Sequence, residues 1–339
     1  MKAAVLVEPY KLEVREVPKP VPGPGEVVID VKYMGICGSD IPGYEGKQAV
    51  KMPIIPGHEF TGVVDQFGEG VTGLRAGQKV MAQAAWGCGQ CKHCLEGKHN
   101  LCTDRRLLGA NVNGALAEYI KVPASAVIPL EEDTDLRLAQ SIDSLSCSIN
   151  AVEKLSPEIG DVGVLFGTGH SGLLLLQVLK STAISKLAVV GGRRQFRMDK
   201  ALELGADLVI GSSDPNFDAA MQDFLPEEGA DFVVEASGTM KALMKAAELV
   251  KQGGMILTYG LYKEKQNEFD FSLLYKKEIK IAGVKGAGSC DHKAIRLLES
   301  GKIDIEPLIT HDIRLEDCNE GFRMMSEKED KALRIVFAL

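Results

Sequence analysis

The hydrophobic pattern changes character once along the chain. Up to about residue 147, apolar residues come in short β-branched runs: AAVLV (3–7), EVVIDVKYMGI (26–36) and FTGVVDQFG (60–68). Gly and Pro close off each run, which predicts strands joined by turns. KPVPGPGE (19–26) reads as a turn or an edge segment, because proline cannot donate to a ladder. Beyond about residue 150 the runs become wholly apolar and alternate with helical periodicity. VGVLF (162–166), KLAVVG (186–191), LVIG (208–211), DFVVEAS (231–237), GGMILTYG (253–260) and EIKIAGV (278–284) read as strands. Helices are expected over 171–180, over FRMDKALELGA (196–206, closing at Gly205) and over MKALMKAAELVKQ (240–252). Alternating βα units predict a doubly wound parallel sheet, hence an α/β fold with a β-rich partner domain. HKAIRLLESG (292–301) is expected as a helix and ALRIVFAL (332–339) as a last strand. The expected domains are 1–147 with 287–339, and 148–286. There is no internal repeat and no low-complexity tract.

Length and charge narrow the function classes. The 339 residues allow two domains, and the formal net charge of −8 argues against broad binding to a nucleic-acid backbone. The longest apolar run, near Leu173 to Leu179, is too short to span a bilayer. The first residues lack a signal-peptide pattern, so a cytoplasmic protein is expected. In that compartment clustered thiols point to metal rather than to disulfides.

Residues 167–172 read GTGHSG. Gly167, Gly169 and Gly172 fit a dinucleotide turn that follows a strand and opens a helix. The first glycine makes the turn, the second admits a pyrophosphate and the third packs helix on strand. Gly167, Gly169, His170, Ser171 and Gly172 are therefore the candidate phosphate-facing residues, with no separate role for His170. At the end of the second strand an acid would bind the ribose hydroxyls. Here the chain has Gly191, Gly192, Arg193 and Arg194, which make room and charge for a 2′-phosphate. NADP(H) is expected in preference to NAD(H).

Cys37, His58 and Glu59 lie in GICGSD and GHEFTG. They offer a thiolate, an imidazole and a carboxylate, a donor set that zinc accepts while keeping a position open for substrate. Beside a nicotinamide, such a site suits hydride transfer coupled to an alkoxide. GICGSD, GHEFTG, GTGHSG, GGMILTYG, the tail LLESGKIDIEPLITH and a lobe of four cysteines together resemble the zinc-dependent medium-chain alcohol dehydrogenase family, nearest its polyol (sorbitol-type) and threonine dehydrogenase branches. The resemblance covers essentially the whole chain. It implies a GroES-like catalytic domain beside a Rossmann domain, and a homodimer or homotetramer pairing through KEIKIAGV (277–284). It implies catalytic zinc at Cys37, His58 and Glu59, with Asp143 in the place of a further carboxylate. Ser39 would pass the substrate proton, and Asp40 would orient the His58 imidazole.

Three departures stand out. Pro42 occupies the position of a relay histidine, so the proton would leave through Ser39 and water, or through Tyr44. GVKGAG (283–288) replaces the segment whose arginine meets a sugar alcohol in polyol members. The acid of NAD-linked relatives is missing. The expected reaction joins a secondary alcohol, a polyol or a diol, to its ketone. A phosphorylated alditol and an NAD-linked threonine-type substrate stay open, with Lys47 or Lys285 as candidate phosphate contacts. A zinc-free quinone-type reductase and a non-enzymatic NADPH sensor are the rival classes.

Cys88, Cys91, Cys94 and Cys102 have the spacing C-x₂-C-x₂-C-x₇-C within the lobe 86–104. This fits a closed tetrahedral structural zinc, making two zinc ions per chain. Four thiolates would leave a local charge of about −2, which backbone N–H groups and Lys92 or Lys98 are expected to offset. A redox pair would want a thioredoxin-like setting, and a nucleic-acid ribbon a basic chain.

Overall fold

The computed structural model describes residues 1–262, 268–329 and 331–339. The chain divides into two compact units, 1–143 with 294–299 and 305–339, and 144–293 with 300–304. The expected boundaries at 147/148 and 286/287 differ from these, and 300–304, expected in the first domain, belong to the second unit.

The first unit is built on a seven-stranded sheet. Its longest strand, β1 (Glu26–Gly35), runs antiparallel to β2 (Glu59–Phe67) and to the C-terminal strand Arg334–Ala338. The β-branched run of β1 buries Val27, Ile29 and Val31 in one cluster with Phe60, Val64, Ile335 and Phe337. That burial, rather than strand propensity alone, holds the register. Gly35 pairs with Glu59 on one side and with Val336 on the other. A side chain at Gly35 would overlap the head groups of Gln140 and Arg334, so the glycine lets two buried polar groups meet there. The proline-rich segment 19–26 is irregular until β1 begins.

A mostly unforeseen helix, α2 (Ile142–Leu155), leads into the second unit; the short helix α1 (Asp40–Tyr44) precedes it in the first. Helix α2 was hidden by its serines, which read as loop residues. Ser144, Ser146 and Ser148 are nonetheless buried. Ser148 Oγ donates to the Ser144 carbonyl one turn back at 3.1 Å, satisfying a hydroxyl inside a helix.

The second unit carries the predicted doubly wound sheet. Its strands are β3 (Val162–Phe166), β4 (Lys186–Gly191), β5 (Leu208–Gly211), β6 (Ala230–Glu235), β7 (Val250–Thr258) and β8 (Lys280–Gly283). All are parallel, in the order β5-β4-β3-β6-β7-β8. The order reverses between β3 and β6, which makes the crevice at their C-terminal ends the ligand-binding edge. Helices α3 (His170–Lys180), α4 (Gln195–Glu203) and α5 (Met240–Leu249) follow β3, β4 and β6. The helix expected to reach residue 252 stops at Leu249 because Val250 is already paired in β7. Lys277 Nζ donates to the freed carbonyls of Ala247 and Glu248. The last strand is shorter than EIKIAGV, since Glu278 takes a left-handed φ of 53°. The strand Ile309–Arg314 and the helices Phe217–Phe224, Ser272–Lys277 and Cys318–Ser326 were not anticipated. Among the described residues no helix is long and apolar enough to cross a membrane.

Candidate active site

The antiparallel pairing of β1 and β2 brings the turn after Gly35 beside the residues that open β2. Cys37, His58 and Glu59 thereby converge, with their donor atoms all within 4.8 Å of one another. Asp40, at the start of α1, ties the group together. Its Oδ2 accepts the Cys37 N–H at 3.0 Å, and its Oδ1 lies 3.1 Å from His58 Nδ1. Nδ1–H therefore donates to Asp40, which turns Nε2 toward the site, where a bound metal would take its lone pair in place of a proton. Ser39 Oγ donates to Cys37 Sγ at 3.2 Å and stands 3.4 Å from His58 Nε2. Burial, and then the Glu59 charge, push the Cys37 thiol up, against the pull of His58. Burial alone would lower the His58 pKa, but Asp40 and Cys37 outweigh it and hold it well above an ordinary imidazole. A half-buried thiol, an inward-turned imidazole nitrogen and a carboxylate form a donor set that fits zinc, whose charge would reverse the cost of ionising the thiol. Asp143, in the first turn of α2, is not a member of this donor group.

Two residues behind the group escaped the sequence reading. The Arg334 guanidinium, 1% exposed, pairs with the Glu59 carboxylate. It also donates from Nε to Gln140 Oε1 at 3.0 Å and from Nη1 to the Ile36 carbonyl at 2.9 Å. The available signal was an arginine inside the apolar run ALRIVFAL, because a charge in a buried strand needs a partner.

The four-cysteine lobe is a second cluster. Cys88, Cys91, Cys94 and Cys102 place their sulfurs within 4.8 Å of one another, all as free thiols. The backbone N–H groups of Gln90 and Cys91 lower the Cys88 thiol to about 7, and burial pushes Cys94 up to about 12. A side chain on Gly87 would overlap Cys94 Sγ. Backbone N–H groups thus favour the Cys88 thiolate, whereas Lys92 and Lys98 lie 3.9 and 2.9 Å from Glu96.

In the second unit each glycine of the turn after β3 has a distinct physical reason. Gly167 holds a φ of 120°, and a Cβ on Gly172 would overlap the Gly167 carbonyl. A Cβ on Gly169 would meet nothing within 4 Å, which leaves the α3 N-terminus open to a phosphate. His170 and Ser171 are the first residues of that helix. At the end of β4, Gly191 packs against Met198 while Gly192 faces open space. Arg193 is exposed and Arg194 half-buried. Among the described residues neither pairs with a carboxylate.

Two family profiles match the chain: the alcohol dehydrogenase GroES-like domain over residues 23–132 and the zinc-binding dehydrogenase over residues 172–300. A sorbitol dehydrogenase of Halalkalibacterium halodurans is 33% identical over 95% of this chain and 94% of that protein. An L-threonine 3-dehydrogenase of Bacillus velezensis is 31% identical over 96% of this chain and 95% of that protein. A solved alcohol dehydrogenase from Escherichia coli, complexed with NADH, superposes with a TM-score of 0.93 at 28% identity, covering 100% of this chain and 99% of that one.

Proposed function

The chain belongs to the zinc-dependent alcohol dehydrogenase family, and from that premise we propose that it interconverts a secondary alcohol of polyol or diol type with its ketone, preferring NADP(H). The observation that carries the reaction class is the convergence of Cys37, His58 and Glu59 around an imidazole oriented by Asp40. A zinc ion held there would supply Lewis acidity at the substrate oxygen, and the nicotinamide would exchange the hydride.

The protein's own groups manage the proton. Ser39 Oγ, beside Cys37 and His58, is placed to take it from the substrate hydroxyl. Tyr44 is a poor next carrier, because its hydroxyl already donates to the Tyr10 carbonyl at 3.3 Å and burial holds its proton on. Pro42 has no proton to give. A cavity of about 60 Å³ lined by Ser39, Asp40, Tyr44, Gln48 and His58 has room for water, and it serves as the exit. Lys47 pairs with Glu45 at 2.7 Å, which argues against it as a phosphate contact.

The cofactor preference rests on the acid-free end of β4, where Gly192 leaves space and, among the described residues, Arg193 and Arg194 have no competing carboxylate. The NADH in the Escherichia coli relative makes this a matter for this chain's own residues. The four cysteines would hold a second, structural zinc. The exposed edge strand β8, with Ile281 38% exposed, would pair two copies in a cytoplasmic homo-oligomer. The deciding experiment measures kcat/KM with NADPH and NADH across ketoses, diols, phosphorylated alditols and simple ketones. Arg193→Ala should lose about tenfold or more with NADPH and little with NADH. An unaltered ratio, or a wild type that prefers NADH, overturns the cofactor reading. A folded Cys37→Ser variant with full activity overturns the metal reading.

A further inference from the structure

Glu235, the last residue of β6, is a fully buried carboxylate, and among the described residues it makes no ion pair. Its partners are all donors from the loops at the ligand-binding edge. Oε1 accepts from the Ser237 N–H at 2.8 Å, from Ser237 Oγ at 2.5 Å and from the Gly238 N–H at 3.0 Å. Oε2 accepts again from Gly238 at 3.2 Å. The Glu235 carbonyl takes the N–H groups of Tyr259 and Gly260, both at 2.8 Å, in the loop after β7. The buried Tyr262 hydroxyl faces the same carboxylate; burial first, then hydrogen bonding to Glu235 and the Glu235 charge, push that phenol far up.

Three loops meet around this residue. A Cβ on Gly260 would overlap the Gly238 N–H and come within 3.0 Å of Glu235 Oε2. Gly238, with a φ of 68°, lies against the Leu261 carbonyl. The Ala236 N–H donates to the Phe166 carbonyl at 2.8 Å, and a Cβ on Gly167 would sit 3.0 Å from Ala236. The charge therefore fastens the loops 236–238 and 259–262 to each other and to the phosphate turn.

The position on the sheet says which part of a ligand these loops face. The sheet order reverses between β3 and β6, and a dinucleotide lies across that crevice with one mononucleotide on each side. Gly191 to Arg194 put the adenosine half over β4 and β5. The loops after β6 and β7 then wall the nicotinamide half. Burying a carboxylate is costly even when it is hydrogen-bonded, and a loop could be closed by an apolar residue instead. What the carboxylate adds is a fixed direction for several backbone N–H groups at once.

We propose that Glu235 is a positioning residue for the nicotinamide half of the cofactor, fixing the loops 236–238 and 259–262 without touching the ligand. This rests on the dinucleotide reading above, but not on the choice between NADP and NAD. The test uses the full-length, zinc-replete enzyme and the Glu235→Gln variant, which keeps the shape and loses one acceptor. Binding of NADPH is compared by calorimetry with binding of 2′-phospho-ADP-ribose, which lacks the nicotinamide; NADH and ADP-ribose are run in parallel. The fragment should bind within about twofold of wild type, while the whole cofactor weakens and kcat falls about 10- to 100-fold, the usual effect of misplacing a reacting group by about an ångström. Equal weakening of fragment and cofactor, or unchanged kcat, overturns the proposal. Should Glu235→Gln fail to fold, Ser237→Ala, which removes one donor from an exposed side chain, is judged by the same ratio at a smaller effect. A wild type that prefers NADH sinks the 2′-phosphate reading and leaves this one standing; a wild type that binds neither dinucleotide sinks both.

Discussion

Replacing Arg334 by Met tests whether the buried pair behind the active site is a structural necessity. Arg334 and Glu59 are each 1% exposed, so neither charge has solvent to fall back on. Methionine fills much of the same volume, so the cavity contribution is small. The main loss is electrostatic. The Glu59 carboxylate keeps its charge without its guanidinium, and Gln140 Oε1 and the Ile36 carbonyl lose their donors. Removing one partner of such a pair costs about 3–5 kcal/mol. The single tryptophan, Trp86, lies in the same unit, so its fluorescence reports the unfolding of that unit. Even at a steep urea slope of about 3 kcal/mol/M, the midpoint should fall by about 1 M or more. Glu59→Gln in the Arg334→Met background should recover part of the loss, giving a coupling of about 2–3 kcal/mol in the double-mutant cycle. A midpoint within about 0.3 M of wild type, or strictly additive single effects, would refute the reasoning.

Cys91→Ser should lower zinc from two ions per chain to one by elemental analysis, and reduce stability or assembly before it reduces turnover; a stable variant that loses only catalysis would reverse the two roles. Asp40→Asn should keep the fold and lower activity or zinc affinity about 10- to 100-fold, since the His58 ring loses its orienting acceptor; unchanged kinetics and metal content would remove Asp40 from the site. Asp231 gives a pH signature in the second unit. Burial would raise its pKa, but Lys251 and the Val162 N–H outweigh burial and hold it below the usual carboxylate range. A depressed folded pKa stabilises above the unfolded value of about 4 and loses that contribution as pH falls through the folded value. Asp231→Asn should therefore melt below wild type at pH 7, with the gap narrowing as pH falls below about 4; a gap that stays constant with pH would contradict this.

The residues legible in the sequence are those whose chemistry demands a type at a fixed spacing. The spacing of four cysteines within one short lobe foretold that their sulfurs converge, and GTGHSG after an apolar strand foretold the tight strand-to-helix turn, because backbone geometry leaves no other residue at Gly167 or Gly172. The parallel sheet was equally open to reading, since strands covered on both faces show as continuous apolar runs. What stayed hidden has a common physical form. Helix α2 buries three serines, one of which, Ser148, bonds the carbonyl one turn back, so its polarity disguised its burial. Arg334 lies far along the chain from Glu59, and only the meeting of β1, β2 and the last strand at Gly35 joins them.

Arg334 and Glu235 together suggest why such residues resist sequence reasoning. Each is a buried charge that contacts other protein groups and holds them in place, so neither carries a spacing motif toward a ligand. Arg334 holds a carboxylate of the metal group from behind, and Glu235 holds two loops from beneath. Motif logic finds groups that face a ligand, because the ligand imposes the geometry. Groups that hold those in turn are constrained only by the fold, and their signature is a charge standing where the pattern calls for an apolar residue. In ALRIVFAL and DFVVEAS that signature is present in the sequence, and it gains meaning once the partners across the sheet are known.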